Sequence, residues 1–199
     1  AENLQKIGAF KFRGAMNSLL KLNDNKKNVL AWSSGNHAQA IASACYLTNK
    51  RATIVMPEDS PKAKLNGTKS WGANIVTFDR YSESREEIGT ALAKKINAEI
   101  IPPFDHPDVI NGQGTVGYEI ISDFKKNNLK PDLVLCCCGG GGLIAGVGTA
   151  IKAEYPNVPV YAVEPEDYND TFLSLKNNEI TEVDVSKKSI CDSLLASKP

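Results

Sequence analysis

Short apolar runs that suit a buried strand alternate with stretches of helical spacing along nearly the whole chain. Residues 29–32 precede a helical pattern over 36–47. Residues 52–56 stop at Pro57, and Ser60 and Pro61 then supply a cap and a first-turn proline for the next helix. Residues 73–78 precede a helix over 82–96, and a loop rich in Pro and Asp covers 102–108. A helix over 116–126 leads to the strand run 133–138, then a further helix, then the strand run 158–163. Strands that are apolar on both faces, each followed by an amphipathic helix, are βαβ units. The expected fold class is α/β, with parallel sheets.

Between run 133–138 and its helix stand Gly139, Gly140, Gly141 and Gly142, followed by Leu143. Glycines at a strand-to-helix turn bare their backbone N–H groups at the positive end of the helix dipole, which is the geometry that holds a phosphate. A flexible linker would be polar, whereas this run is flanked by apolar segments. Residues 140–145 also fit the G-x-G-x-x-A dinucleotide pattern, with Glu164 at the end of the next strand in the place of a ribose ligand. A nicotinamide dehydrogenase is therefore a rival reading.

Composition removes other classes. Lys plus Arg and Asp plus Glu number 23 each, so no global field recruits nucleic acid or an anionic membrane. No apolar run reaches the ~18 residues that a membrane span needs. The first residues lack the order of a secretory signal, and a cytoplasmic protein is expected. Of five cysteines, Cys136, Cys137 and Cys138 are adjacent in a strand, where neither a disulfide framework nor a metal clip can form; all five are expected reduced. The glycosylation-like tripeptides at Asn66 and Asn169 then carry no consequence.

Three further segments carry chemistry. Ser33, Ser34, Gly35, Asn36 and His37 place hydroxyls, an amide and free N–H groups around one helix start, a donor set suited to a carboxylate; capping by Ser33 or Asn36 is the plainer alternative. Lys11 stands between Phe10 and Phe12. Apolar surroundings favour the neutral amine, the form that attacks an aldehyde, although a lysine on a solvated helix face is the commoner case. Glu164, Glu166, Asp167 and Asp170 bracket a turn and could bind Mg²⁺ or Ca²⁺, or Asp170 or Asn169 could simply cap the next helix. Of the two histidines, His106 lies in the Pro/Asp loop and is expected to be incidental.

Taken in order, residues 2–5, 10–15, 33–40, Met56 and Pro57, 112–115 and 139–143 resemble the fold-type II pyridoxal-phosphate enzymes, within the threonine/serine dehydratase and serine racemase family. The resemblance implies a tryptophan-synthase-β-like α/β fold in two domains, with 28–111 the smaller domain and 1–27 plus 112–199 part of the larger. It implies pyridoxal 5′-phosphate on Lys11, with Phe10 beside the ring and Asn36 on its 3′-oxygen. Residues Gly139, Gly140, Gly141, Gly142 and Leu143 would hold the phosphate. Ser33, Ser34, Asn36 and His37 would line the substrate carboxylate pocket, with Ser34 at the position of the racemases' opposite-face acid/base.

Glu164, Asp170 and the Tyr168 carbonyl match a site for Mg²⁺, Mn²⁺ or Ca²⁺. The implied activity is β-elimination from a hydroxy amino acid such as L-threonine or L-serine, giving a 2-oxo acid and ammonia, in a protein that forms homodimers. Serine racemase is the alternative within the same cofactor class. The sequence departs from the family at Ala9, where Ser is frequent, and at Cys136, Cys137 and Cys138. The family's opening strand and helix, and the stretch that supplies the partner of the pyridine nitrogen, find no counterpart. A fragment is expected, and a non-catalytic fragment is a further alternative.

Overall fold

The computed structural model describes residues 1–199, which divide into two compact units, Ala1–Gly112 and Gln113–Pro199. The first unit opens with 3-10 turns at Glu2–Leu4 and Lys6–Gly8, then helix α1 (Lys11–Lys21). It continues β1 (Asn28–Trp32), α2 (Asn36–Leu47), β2 (Arg51–Pro57), α3 (Lys62–Ser70), β3 (Asn74–Phe78), α4 (Arg85–Ile96) and β4 (Ala98–Ile100). Helix α5 (Pro107–Lys126) runs across the division. The second unit contains β5 (Val134–Cys137), α6 (Gly142–Glu154), β6 (Val160–Val163) and α7 (Asp170–Asn177).

The first unit's sheet has the order β3-β2-β1-β4, with every pairing parallel. Its strands carry apolar residues on both faces. Val29 and Ala31 of β1, with Ala52, Ile54 and Met56 of β2, face one core shared with Ala15 and Leu19 of α1 and Ala38, Ile41 and Ala44 of α2. The intervening Leu30 and Val55 face a second core with Phe78 and with Ala93 of α4. Side chains on a strand alternate between faces, so a sheet covered by helices on both sides must be built from unbroken apolar runs. In the second unit β5 and β6 pair in parallel, and Val147 and Ile151 of α6 pack with Ile121 and Val158.

Several boundaries differ from expectation for local reasons. The Ser60 hydroxyl donates to the Pro57 carbonyl at 2.6 Å and does not cap α3, whose flanking position is Pro61. Helix α4 starts at Arg85, where Ser84 accepts from the Glu87 N–H, so 82–84 belong to the preceding turn. Strand β4 is only three residues long, too short to leave a period in the sequence. Helix α5 reaches back to Pro107, because a proline suits a first helical turn.

Two glycines of α5 explain the 112–115 motif. A methyl group on Gly112 would lie 2.5 Å from the Gly14 Cα and 2.6 Å from the Arg13 carbonyl oxygen of α1. One on Gly114 would lie 3.1 Å from the Gly146 carbonyl oxygen of α6. Both contacts are to backbone, which cannot step aside. Gly112→Ala is expected to lower stability by about 1–3 kcal/mol, the usual cost of overpacking, read as a lower urea midpoint at unchanged slope. An unchanged midpoint would show that α1 and α5 can separate freely.

Candidate functional site

The chain leaves β1 in one direction, through β2 to β3, and returns on β1's other side as β4. Beside such a reversal the loops after the two strands diverge and leave a crevice at their carboxyl ends. The loop after β1 is Ser33, Ser34 and Gly35, and the segment after β4 is Ile101, Pro102 and Pro103. Lys11, the first residue of α1, donates from Nζ to the Pro103 carbonyl at 2.6 Å. His37, in the first turn of α2, lies 2.9 Å by Nε2 from the Ile101 carbonyl. One three-residue segment thus receives both side chains.

The start of α1 is held by Glu2, whose carboxylate accepts from Arg13 Nε at 2.8 Å and from Nη2 at 2.7 Å. This fork pairing gives the 2–5 and 10–15 motifs a common purpose, since it ties the opening turn to the helix that carries Lys11. The Phe10 ring centre is 5.3 Å from Lys11 Nζ. Phe12 does not flank Lys11 from the other side as its spacing implied; it packs toward the core and faces Lys6 at 5.8 Å.

Neither Ser33 nor Asn36 caps α2. Gly35 is the flanking residue and no side chain accepts there, while Ser33 Oγ accepts from the Gly35 N–H at 3.2 Å. The capping alternative therefore fails, and the helix keeps its first N–H groups for an anion. Lys64 of α3, absent from the expected set, comes within 3.7 Å of where a Gly35 Cβ would stand. Ser33 and Ser34 also line a cavity of about 390 Å³ with Phe78, Arg80, Ser84 and Arg85. No sequence spacing marks Lys64, Arg80 or Arg85, because they reach the loop after β1 only through the sheet's parallel order.

His37 is fully buried, and desolvation first, then the Lys11 charge, pushes its pKa down to about 3; the bond to Ile101 acts the other way but is outweighed. Histidine in an unfolded chain titrates near 6.5. Below that pH the unfolded chain binds a proton that the folded chain refuses. The stability His37 contributes is complete above about pH 6.5 and is lost as pH falls toward 3, at up to ~1.4 kcal/mol per unit. Urea melts from pH 7 to 4 should show a shallower fall for His37→Gln than for the unaltered chain. Equal slopes would contradict the burial argument.

In the second unit the glycine turn connects β5 to α6. Gly141 flanks α6 with φ of +78°, a conformation that glycine tolerates and other residues rarely adopt, and no side chain caps the helix. A Cβ there would meet nothing within 4 Å. Open space before uncapped N–H groups suits a phosphate oxygen. The open N–H groups of this turn fit the phosphate of pyridoxal phosphate.

Glu164 follows β6, and its two oxygens accept from the N–H groups of Thr171 (2.9 Å) and Phe172 (3.0 Å). It thereby caps α7, a task that neither Asn169 nor Asp170 performs, and this use leaves the ribose reading of Glu164 without support. Asp170 is buried with Oδ2 unpartnered; burial first, and then the Glu164 charge, raise its pKa against the pull of its own backbone N–H. Tyr168 is buried and its hydroxyl donates to the carbonyls of Val185 and Lys187. No group of three or more His, Cys, Asp or Glu side chains is placed to hold a metal ion. No disulfide joins the cysteines; Cys136 and Cys138 are raised in pKa, Cys136 mainly by its hydrogen bond to Cys137 and Cys138 mainly by burial.

The comparisons with known proteins agree with the parallel α/β fold. The chain is 46% identical over 188 residues to the L-threo-3-hydroxyaspartate ammonia-lyase of Saccharomyces cerevisiae, a match covering 94% of this chain and 56% of that protein. It is 43% identical to the serine racemase of Schizosaccharomyces pombe, covering 94% and 57%. Among solved structures it superposes on a threonine deaminase from T.th. with a TM-score of 0.93 and 40% identity, covering 100% of this chain and 63% of that one. The chain thus spans about half the length of the curated relatives it matches. The model of the pyridoxal-phosphate dependent enzymes matches residues 1–199, and the chain belongs to that family.

Proposed function

We propose that the protein of which this chain is a part carries out β-elimination on a small hydroxy amino acid, releasing a 2-oxo acid and ammonia. The observation that carries this reading is the placement of Lys11 against the segment after β4, at the crevice where α/β sheets take their ligands. Relatives named as ammonia-lyases support it.

In this reading Lys11 is the lysine that joins the cofactor, with Phe10 against the ring and Asn36 on the 3′-oxygen. Gly139, Gly140, Gly141 and Gly142 give N–H groups to the phosphate, and Leu143 begins the helix behind them. Ser33, Ser34, Asn36 and His37 form the carboxylate pocket at the start of α2. When bound, pyridoxal phosphate supplies an electron sink for the negative charge left at Cα. The chain's own tasks are to orient the amino acid by its carboxylate and to move protons. The Lys11 amine takes the Cα proton, the β-hydroxyl departs as water with a proton returned to it, and hydrolysis of the remaining unsaturated amine gives the 2-oxo acid and ammonia.

Ser34 is placed in sequence to serve as a second acid/base, so racemisation is the alternative outcome. A divalent cation on Glu164, Asp170 and the Tyr168 carbonyl belongs to the same proposal. Its supporting observation is the buried, unpartnered Asp170 Oδ2 beside the Glu164 charge.

Residues 1–27 and 112–199 are assigned to a larger domain of the whole protein and 28–111 to a smaller one. The protein is assigned to the cytoplasm as a homodimer; no helix is long and apolar enough to cross a membrane.

The test is ammonia release from L-serine, L-threonine and L-threo-3-hydroxyaspartate, with chiral analysis of the remaining amino acid. Elimination from one of them, reduced at least a thousandfold in Lys11→Ala, is the expected result. Turnover that survives Lys11→Ala would overturn the assignment, and inverted amino acid without ammonia would favour racemisation.

A further inference from the structure

His37 has a more definite role than a lining residue. A carbonyl oxygen can only accept, so the 2.9 Å contact with Ile101 requires the hydrogen on Nε2. In the neutral ring that leaves Nδ1 as a lone pair. Nδ1 is buried and has no hydrogen-bond partner. An acceptor shut away from water without a donor costs about 1–3 kcal/mol. A neutral ring whose remaining nitrogen can only accept is unsuited to bind a carboxylate, which itself only accepts. What His37 gives to the carboxylate pocket is therefore its backbone N–H, and the ring is left for another task.

Among the surrounding charges, one donor is singled out. On α1 and the turn before it, Arg13 and Glu2 are paired with each other. Asp108 of α5 is paired with Lys21. Lys64 of α3 lies beside Gly35. Asp105 and His106 stand on the loop after β4. Among all of them, Lys11 is the group whose charge bears on His37. Its ammonium has three N–H donors, and it already touches the same short segment as His37, through Pro103.

We propose that His37 is a positioning residue for Lys11: its ring is fixed as the Nε2–H form by Ile101, and its Nδ1 accepts from the Lys11 amine as that group turns from Pro103 to react. The proposal rests on the reading of Lys11 as the reactive lysine. Pro103 and His37 are then two stations for one amine, and the 101–103 segment fixes both. The lone pair at the second station favours the protonated amine, so it helps Lys11 to keep the proton it has taken.

Two measurements on the 199-residue chain test this without turnover. With only two histidines present, ¹⁵N spectra of histidine-labelled protein resolve each ring, and a His106→Asn variant assigns them. The His37 ring should stay in the neutral Nε2–H form from pH 9 to 5. Competitive acetylation of Lys11 against pH, read by peptide mass, should shift its midpoint about one pH unit lower in His37→Phe, the equivalent of one lost hydrogen bond. His37→Gln, whose amide offers both a donor and an acceptor, should restore it.

A ring in the Nδ1–H form, protonation above pH 5, or an unmoved Lys11 midpoint in His37→Phe would overturn the proposal. Acetylation does not involve the cofactor. A failure of Lys11 to react with pyridoxal phosphate would therefore count against the family mechanism while leaving this result to stand by itself.

Discussion

The first unit depends on the reversal of strand order at β1. Because β2 and β3 lie on one side and β4 on the other, the loops leaving β1 and β4 separate, and the backbone carbonyls of Ile101 and Pro103 face side chains instead of another strand. Those two carbonyls fix a lysine and a histidine from different helices, α1 and α2. The uncapped start of α2 stands at the same end of the sheet. A cation, a histidine ring and an uncapped helix start are brought to one end of the sheet by topology, with no long-range motif needed.

Glycine does two different jobs here. In α5, Gly112 removes the side chain that would keep α1 away, and α1 begins with Lys11. Before α6, Gly141 instead takes a backbone angle other residues avoid, and leaves open space before a helix N-terminus. Steric approach sets the first and conformation sets the second.

Much of the fold was legible because both faces of the first sheet are covered. Continuous apolar runs with helices between them leave little choice but a parallel α/β arrangement, and α2 was readable to the residue, 36–47. What escaped notice had weak local signals. Strand β4 has only three residues, yet it supplies the reversal of strand order at β1. The capping of α7 by Glu164 links residues seven and eight apart through a turn, where an adjacent Asn169 or Asp170 was the natural candidate. Phe12 looked like a flank of Lys11, but helical spacing turns it toward Lys6 and the core. Ser33, Ser34, Asn36 and His37 stood out as a cluster, while the separate tasks of Ser33, which serves its own turn, and His37, which reaches Ile101, depend on atoms that only the folded backbone places.

The central claim is that Lys11 is the residue that joins pyridoxal phosphate. The most direct measurement is to incubate the purified chain with the cofactor, reduce with borohydride and map the modified peptide by mass. The account predicts one adduct per chain, on Lys11. Labelling spread over the surface lysines, with Lys11 no more reactive than the rest, would contradict it.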